Sequence, residues 1–98
     1  MASVTNKDIP EEFNAFGEFF VFRKKYYNGE DNDDFWMELI DAADELSKAH
    51  SSAYLDQMIL ICVDDIDRRY MASINKPWKS DPLKEVYNRL QRNRGKKT

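Results

Sequence analysis

Cysteine, glycine and proline are scarce in this chain, which has 1 Cys, 3 Gly and 3 Pro in 98 residues. A single Cys cannot form an internal disulfide, so we expect a reduced, cytoplasmic protein in which Cys62 is a small buried hydrophobe. With so few Gly and Pro there is little material for turns, which favours a few long elements over many short strands.

Long apolar runs are also missing. The longest run, at 58–63, has six residues, far below the roughly 18–20 residues of a membrane span. The first residues do not combine a basic stretch with an apolar one, so we expect neither a membrane span nor a secretion signal. The chain has no Gly-rich phosphate loop, zinc-ligand spacing or nucleophilic triad, and we interpret His50, its only His, as a helix-end residue. We therefore expect a non-enzymatic protein without a cofactor.

The charged residues are sorted by position along the chain. Residues 1–67 contain 16 acidic and 5 basic side chains, whereas residues 68–98 contain 2 acidic and 10 basic ones. The formal net charge of −3 hides this division. An acidic body with a basic C-terminal segment presents two opposite electrostatic surfaces to a partner.

Hydrophobic periodicity predicts four helices, at about residues 9–28, 32–50, 52–74 and 82–93. We expect one all-α domain over residues 1–98, in which three antiparallel helices form a bundle and a fourth, shorter helix packs across it or projects. Residues 94–98 are expected to form a flexible basic tail. Residues 58–63 are all apolar, so periodicity there does not distinguish a helix from a buried strand. The helical pattern on both sides of the segment favours a helix.

Local signals predict the helix starts. Asp8 and Glu11 have the spacing of a capping box, and Pro10 suits a first helical turn. Asp31 or Asn32 can cap helix 2, and Ser51 or Ser52 can cap helix 3.

The same periodicity predicts which side chains are buried. The expected core face of helix 1 comprises Ile9, Phe13, Phe16, Phe19, Phe20, Tyr26 and Tyr27. The expected core face of helix 3 comprises Leu55, Met58, Ile59, Cys62, Val63, Ile66, Tyr70 and Ile74. Phe22, Tyr54 and Trp78 are less easily placed inside, and together they would mark a surface for a partner protein or for a second copy of the chain.

The strongest candidate for a binding surface is an acidic face of helix 2. It comprises Asp33, Asp34, Glu38, Asp41 and Glu45. Carboxylates gathered on one side of a helix suit a protein partner that has a basic surface.

An alternative is nucleic-acid binding through the basic end of the chain. The candidate residues are Arg89, Arg92, Arg94, Lys96 and Lys97. Such side chains can contact phosphates, but few aromatic residues lie among them and the acidic body opposes a nucleic-acid backbone. The basic fourth helix could instead dock on an acidic face of helix 2 or helix 3.

A second alternative is a metal site. Asp64, Asp65 and Asp67 form an aspartate-rich cluster, and Glu38 with Asp41 forms an E-x-x-D pair. Over residues 38–70 this pattern resembles the all-α nucleotide pyrophosphohydrolases, and the resemblance implies Mg²⁺-dependent nucleotide hydrolysis. The first acidic pair of that family is missing from helix 1. The spacing of Asp64 and Asp65 to Arg68 and Arg69 favours a salt-bridged surface instead.

Three segments carry another resemblance. They are FFVFRKKYY at 19–27, DDFWMELI at 33–40 and AADEL at 42–46. Over residues 13–72 the chain resembles uncharacterised small helical proteins of phages and conjugative elements in Gram-positive gut bacteria. That resemblance implies a mobile-element setting, where small acidic proteins often inhibit host defence, as anti-CRISPR proteins do.

Overall fold

A computed structural model describes residues 3–5, 7–77 and 81–95, and these fold into four α-helices. The helices are α1 (Pro10–Lys25), α2 (Asp33–Ala49), α3 (Ala53–Ser73) and α4 (Asp81–Asn93). No strand occurs within the described ranges, and the apolar segment at 58–63 is helical. The predicted all-α class is therefore confirmed.

Side-chain caps fix the starts of α2 and α3. The side chain of Asn32 accepts a hydrogen bond of 2.7 Å from the backbone N–H of Phe35. Oγ of Ser52 accepts one of 3.0 Å from the backbone N–H of Leu55. Each cap satisfies a donor that the helix itself leaves unpaired, so Asn32 and Ser52 are the residues that begin these helices.

The capping box predicted for α1 is wrong. Ile9 occupies the capping position without a side-chain hydrogen bond, and Pro10 is the first helical residue. The carboxylate of Asp8 instead accepts a hydrogen bond of 2.9 Å from the backbone N–H of Thr5. Asp8 therefore closes a turn before the helix, and Pro10 starts α1 because its ring presets the helical φ and its missing N–H leaves no unpaired donor.

The first two helices run antiparallel. Near their connection, the Tyr26 hydroxyl donates a hydrogen bond of 3.1 Å to Glu38. Further along, Glu18 of α1 lies 2.9 Å from Nε2 of His50, which follows the end of α2. His50 is thus a helix-end residue, as predicted, and it helps to hold α1 against α2.

The second and third helices are also antiparallel. The rings of Trp36 and Tyr70 meet edge to face at 5.3 Å between centroids, at the start of α2 and the end of α3. At the other end, the Ser47 hydroxyl donates a hydrogen bond of 2.8 Å to Asp56.

The fourth helix packs on the bundle and does not project. It contacts α2 and α3 and runs beside α2 in the same direction, with Arg89 at Asp41 and Asn93 at Asp44. Docking buries Val86 and Leu90 completely or nearly so. Each such side chain stabilises the fold by about 1.5–3 kcal/mol.

The core lies where α2, α3 and α4 meet. Its largest fully buried hydrophobic side chains are Leu39, Leu55, Ile59, Val63, Ile66 and Val86. For α3 the predicted core positions at 55, 59, 62, 63 and 66 are confirmed, whereas Ile74, also expected inside, is 37% exposed.

The predicted core face of α1 is wrong in part, because Tyr26 is buried and Phe19 packs against the core as expected, whereas other predicted positions are exposed. The buried residues on this helix are Ala15 and Phe22, joined by Tyr26 just after its end. Phe13 and Phe20, which were expected inside, are 57% and 58% exposed. Aromatic residues occur on both sides of α1, so periodicity cannot choose between them. The choice comes from tertiary packing, in which the ring of Tyr26 contacts both Phe22 and Phe35.

Candidate protein-binding surface

Four carboxylates occupy successive turns of α2 on one side of the helix. At about 100° per residue, they fall within about 60° of arc. We call Asp34, Glu38, Asp41 and Glu45 the acidic strip. All four residues are exposed. The strip lies between α1 on one side and α4 on the other, because α2 contacts both helices.

Asp33 does not belong to this strip, although the sequence grouped it there. It lies about 100° around the helix from Asp34, where it lines a groove between α2 and α4 together with Trp36 and Glu85.

The edges of the acidic strip are paired with basic residues of the neighbouring helices. Nζ of Lys25 in α1 lies 3.5 Å from Glu38, which also accepts the Tyr26 hydrogen bond. Nη1 of Arg89 in α4 lies 2.9 Å from Asp41. Burial of Tyr26 and its bond to Glu38 raise the pKa of that phenol. Two of the four carboxylates are therefore partly neutralised within the chain.

The other two carboxylates of the strip differ from these. No described residue forms an ion pair or a side-chain hydrogen bond with Asp34 or Glu45. Met37, which is 63% exposed, lies beside Asp34 on the same side of α2. Met is enriched at protein–protein interfaces, whose rims are polar.

Of the basic residues proposed for nucleic-acid binding, the structure describes Arg89, Arg92 and Arg94. Arg89 pairs with Asp41, with Asp44 at 3.6 Å and with Glu85 at 3.0 Å. Arg92 is exposed. Lys96 and Lys97 lie outside the described residues.

Arg94, the first residue of the segment expected to form a flexible tail, contacts the bundle. Its Nη2 donates hydrogen bonds to the backbone carbonyl of Ser47 at 2.6 Å and to the hydroxyl of Ser47 at 2.8 Å. Its Nε lies 2.6 Å from Oδ2 of Asp56, at an angle that gives neither atom a well-aligned hydrogen bond. This side chain therefore serves the fold.

Asp44 is a further acidic residue of the α2–α4 contact that the sequence analysis missed. It accepts a hydrogen bond of 2.8 Å from Asn93 and lies 3.4 Å from Lys48. Burial by itself raises the pKa of Asp44, but the Asn93 hydrogen bond and the charges of Lys48 and Arg89 outweigh it, so the pKa lies below its ordinary value. Only the i,i+4 spacing to Lys48 was visible in the sequence.

The aspartates considered for a metal site are engaged with arginines. Asp64 pairs with Arg68 at 2.9 Å, and Asp65 pairs with Arg23 at 2.9 Å and with Arg69 at 3.0 Å. Burial by itself raises the pKa of Asp65. The hydrogen bonds from Arg23 and Arg69 outweigh that effect, so the pKa lies below its ordinary value. The predicted i,i+4 pairs are confirmed.

The described residues include no group of three or more His, Cys, Asp or Glu side chains that could hold a metal ion. Asp67, the third aspartate of the proposed cluster, is buried, at 3% exposed. Glu38 and Asp41 of α2, the proposed E-x-x-D pair, form ion pairs with Lys25 of α1 and Arg89 of α4.

Cys62 is buried, as predicted, and Nη1 of Arg23 lies 3.7 Å from its sulfur. Burial raises the pKa of the thiol, and the nearby Arg23 opposes that shift only in part. A buried thiol of raised pKa is poorly suited to act as a nucleophile.

Of the three aromatic residues expected outside, Tyr54 is 63% exposed, which confirms that prediction. Phe22 is 6% exposed, so its predicted exposure is wrong. Trp78 lies outside the described residues.

Among the described residues, no helix is long and apolar enough to cross a membrane. No protein-family model, curated protein or solved structure matches this chain.

Proposed function

We propose that this chain is a non-enzymatic binding protein of the cytoplasm that acts through a partner protein. The acidic strip contacts a basic surface of that partner. The observation that carries this proposal is the pair Asp34 and Glu45, which are exposed and have no ion pair with any described residue.

The arrangement of charge within the strip supports a basic partner. Neighbouring carboxylates along it are three or four residues apart, and each such like-charge pair destabilises a helix by roughly 0.2–0.5 kcal/mol. Lys25 and Arg89 relieve this repulsion at Glu38 and Asp41. A partner's Lys or Arg side chains would relieve the rest and would also accelerate association at low salt.

The geometry gives less support to nucleic-acid binding. Arg89 and Arg94, two of the five candidate residues, make intramolecular ion pairs at the α2–α4 and α3–α4 contacts. A side chain that satisfies a partly buried carboxylate is not free to contact a phosphate without a loss of stability.

The resemblance to proteins of mobile elements suggests the kind of partner. A row of carboxylates along one helix, about 16 Å from Asp34 to Glu45 at 1.5 Å per residue, can occupy a site that normally holds phosphates. We therefore propose a host defence or nucleic-acid-binding protein as the partner, inhibited by occupation of its nucleic-acid site.

The test begins with affinity capture from a host lysate treated with nuclease, which removes proteins bridged by nucleic acid. The dissociation constant of the captured protein is then measured at several salt concentrations. For Asp34→Asn with Glu45→Gln, we expect affinity to fall by about tenfold or more and the salt dependence to become weaker.

The matched control is Glu11→Gln with Glu12→Gln, which removes the same charge from the start of α1. This control should retain wild-type affinity. The strip variant and the control are compared at a concentration where light scattering gives them the same molar mass. Equal affinity of the strip variant and the wild type, or capture that is lost on nuclease treatment, would refute the proposed function.

A further inference from the structure

A groove of about 520 Å³ runs along the surface between α1 and α2. We call it the α1–α2 groove. The buried side chains of Phe22, Tyr26 and Leu46 form its floor. Its volume lies within the roughly 300–1,000 Å³ that is typical of ligand-binding clefts, which is ample for one side chain of another protein.

Apolar residues also form the rims of the α1–α2 groove. Val21 of α1, which is 60% exposed, lines one side. Ala42, which is half-buried, and Ala49, which is exposed, line the other side on α2. Because an Ala side chain ends at Cβ, these two residues leave the space opposite Val21 unfilled. The groove therefore provides apolar contact for an aliphatic chain that enters from outside.

One end of the groove is acidic, because Glu18 of α1 and Glu45 of α2 line it from opposite helices. The contacts that hold these antiparallel helices together place the two carboxylates about one helical turn apart along the groove. The Glu18 side chain is 57% exposed and pairs with His50. Glu45 has no ion pair with any residue that the structure describes.

The opposite end of the groove is basic. Lys25 lines it, and its Nζ lies 3.5 Å from Glu38. A cation that enters the groove is therefore directed away from Lys25 and toward the two carboxylates at the acidic end. This distribution of charge over an apolar floor complements a side chain that has an aliphatic stem and a cationic head.

Arginine is the side chain that matches this groove. Its stem can lie along apolar surface while its head remains at the polar end. Its planar guanidinium carries five N–H donors, so it can donate hydrogen bonds to two carboxylates at the same time, whereas the compact ammonium of lysine acts as a point charge. Arginine is also enriched among the residues that contribute most to protein–protein binding.

We propose that the α1–α2 groove receives an arginine side chain of the partner protein. The stem of that arginine lies over Val21 and Ala42, and its guanidinium donates to Glu18 and Glu45. This inference rests on the proposed function, because Glu45 belongs to the acidic strip, and it identifies the side chain that anchors the partner. Asp34 lies about three helical turns from Glu45, so it contacts a second basic residue of the partner.

The first test titrates the full chain with n-butylguanidinium, which reproduces an arginine side chain, and follows the ¹H–¹⁵N chemical shifts of the backbone amides. We expect saturable changes centred on Val21, Ala42 and Glu45. Glu45→Gln should raise the dissociation constant by about fivefold or more, because it removes a charged hydrogen-bond acceptor. Glu11→Gln removes an exposed carboxylate outside the groove and should leave it unchanged. The neutral isostere n-butylurea is the control ligand and should produce no saturable change.

The second test uses the partner obtained by the affinity capture described above. Ala49→Trp fills the acidic end of the groove without a change of charge, and Ala49 is exposed, so the fold should tolerate the ring. We expect this variant to lose about tenfold or more in partner affinity. Gln57→Trp places the same ring at an exposed position of α3 and should retain wild-type affinity.

Two results would overturn the proposal for the groove. One is a set of n-butylguanidinium shifts that lies outside the groove or is unaffected by Glu45→Gln. The other is wild-type partner affinity in an Ala49→Trp chain that still unfolds cooperatively. If Asp34→Asn weakens partner binding in that case, the proposed function of the acidic strip stands and only the groove assignment fails. Wild-type affinity in both Ala49→Trp and the Asp34→Asn, Glu45→Gln variant would refute both proposals.

Discussion

Nε of Arg94 lies 2.6 Å from Oδ2 of Asp56, and this contact fastens the end of α4 to the start of α3. The Asp56 side chain is 7% exposed and also accepts the hydrogen bond from Ser47. Nη2 of Arg94 donates to carbonyls at the end of α2, those of Ser47 and, at 3.3 Å, His50. One guanidinium thus links three helices, because its charge lies against the buried Asp56 carboxylate and its Nη2 adds hydrogen bonds to two carbonyls at the end of α2.

We predict that Arg94→Ala lowers the free energy of unfolding by about 3 kcal/mol, because it leaves the buried Asp56 carboxylate without its cation. Urea denaturation followed by circular dichroism measures the change. Arg92→Ala removes a neighbouring exposed Arg and should change stability by no more than about 0.5 kcal/mol. Equal effects of the two substitutions would contradict the structural role of Arg94.

The stability of the chain should fall in acid partly because of Asp44. Its pKa is below the ordinary value in the folded chain, since the Asn93 hydrogen bond and the Lys48 and Arg89 charges outweigh the effect of burial. A group whose pKa is lowered by folding contributes stability above its unfolded pKa of about 3.9, and that contribution is lost as pH falls through the folded pKa.

Urea midpoints measured from pH 7 down to pH 3 test this prediction. Asp44→Asn should be less stable than the wild type at pH 7, and the difference should shrink as the pH falls. Asn93→Ala should reduce the same pH dependence, because it removes the hydrogen bond to the carboxylate. A constant difference between Asp44→Asn and wild type across this range would show that Asp44 does not contribute in this way.

The two sides of α1 should respond differently to loss of an aromatic ring. Phe22→Ala should destabilise the chain by about 3–5 kcal/mol, because Phe22 is 6% exposed and its loss leaves a cavity. Phe20→Ala should change the stability of the monomer by no more than about 0.5 kcal/mol, because Phe20 is 58% exposed. Both are measured by urea denaturation at concentrations where the chain is monomeric, and the opposite order would support the core face predicted from sequence.

The parts of the fold that the sequence predicted depend on local interactions. Asn32 and Ser52 cap α2 and α3 by bonds to residues three positions away. The core positions of α3 follow from a repeat within one helix. Such signals do not require knowledge of which elements meet, so a single sequence contains them.

The missed features depend on contacts between distant segments. Asp56 and Arg94 meet only because α4 docks, and nothing in the sequence links those two positions. Likewise, the buried side of α1 is chosen by contacts of Tyr26 with α2. For the acidic strip, helical spacing predicted which residues share a side, whereas the neutralisation of Asp41 by Arg89 depends on the position of α4.

Gly29 in the α1–α2 connection provides the last prediction. A Cβ at this position would lie 2.7 Å from Cβ of Tyr70 and 3.0 Å from the ring of Trp36. Cβ of Tyr70 cannot move without its backbone, and Nε1 of Trp36 is held by a hydrogen bond of 2.9 Å to the carbonyl of Glu30. Gly29→Ala should therefore separate α2 from α3 locally and destabilise the chain by about 1–3 kcal/mol.

The matched control is Gly17→Ala, because a Cβ at Gly17 meets nothing within 4 Å. In the monomer it should raise stability by about 0.5–1 kcal/mol, since Ala is a better helix former than Gly. Urea denaturation of both variants at low concentration measures the two effects. A Gly29→Ala chain as stable as the wild type would mean that the Trp36–Tyr70 contact can shift without cost, in which case this junction does not fix how α2 packs on α3.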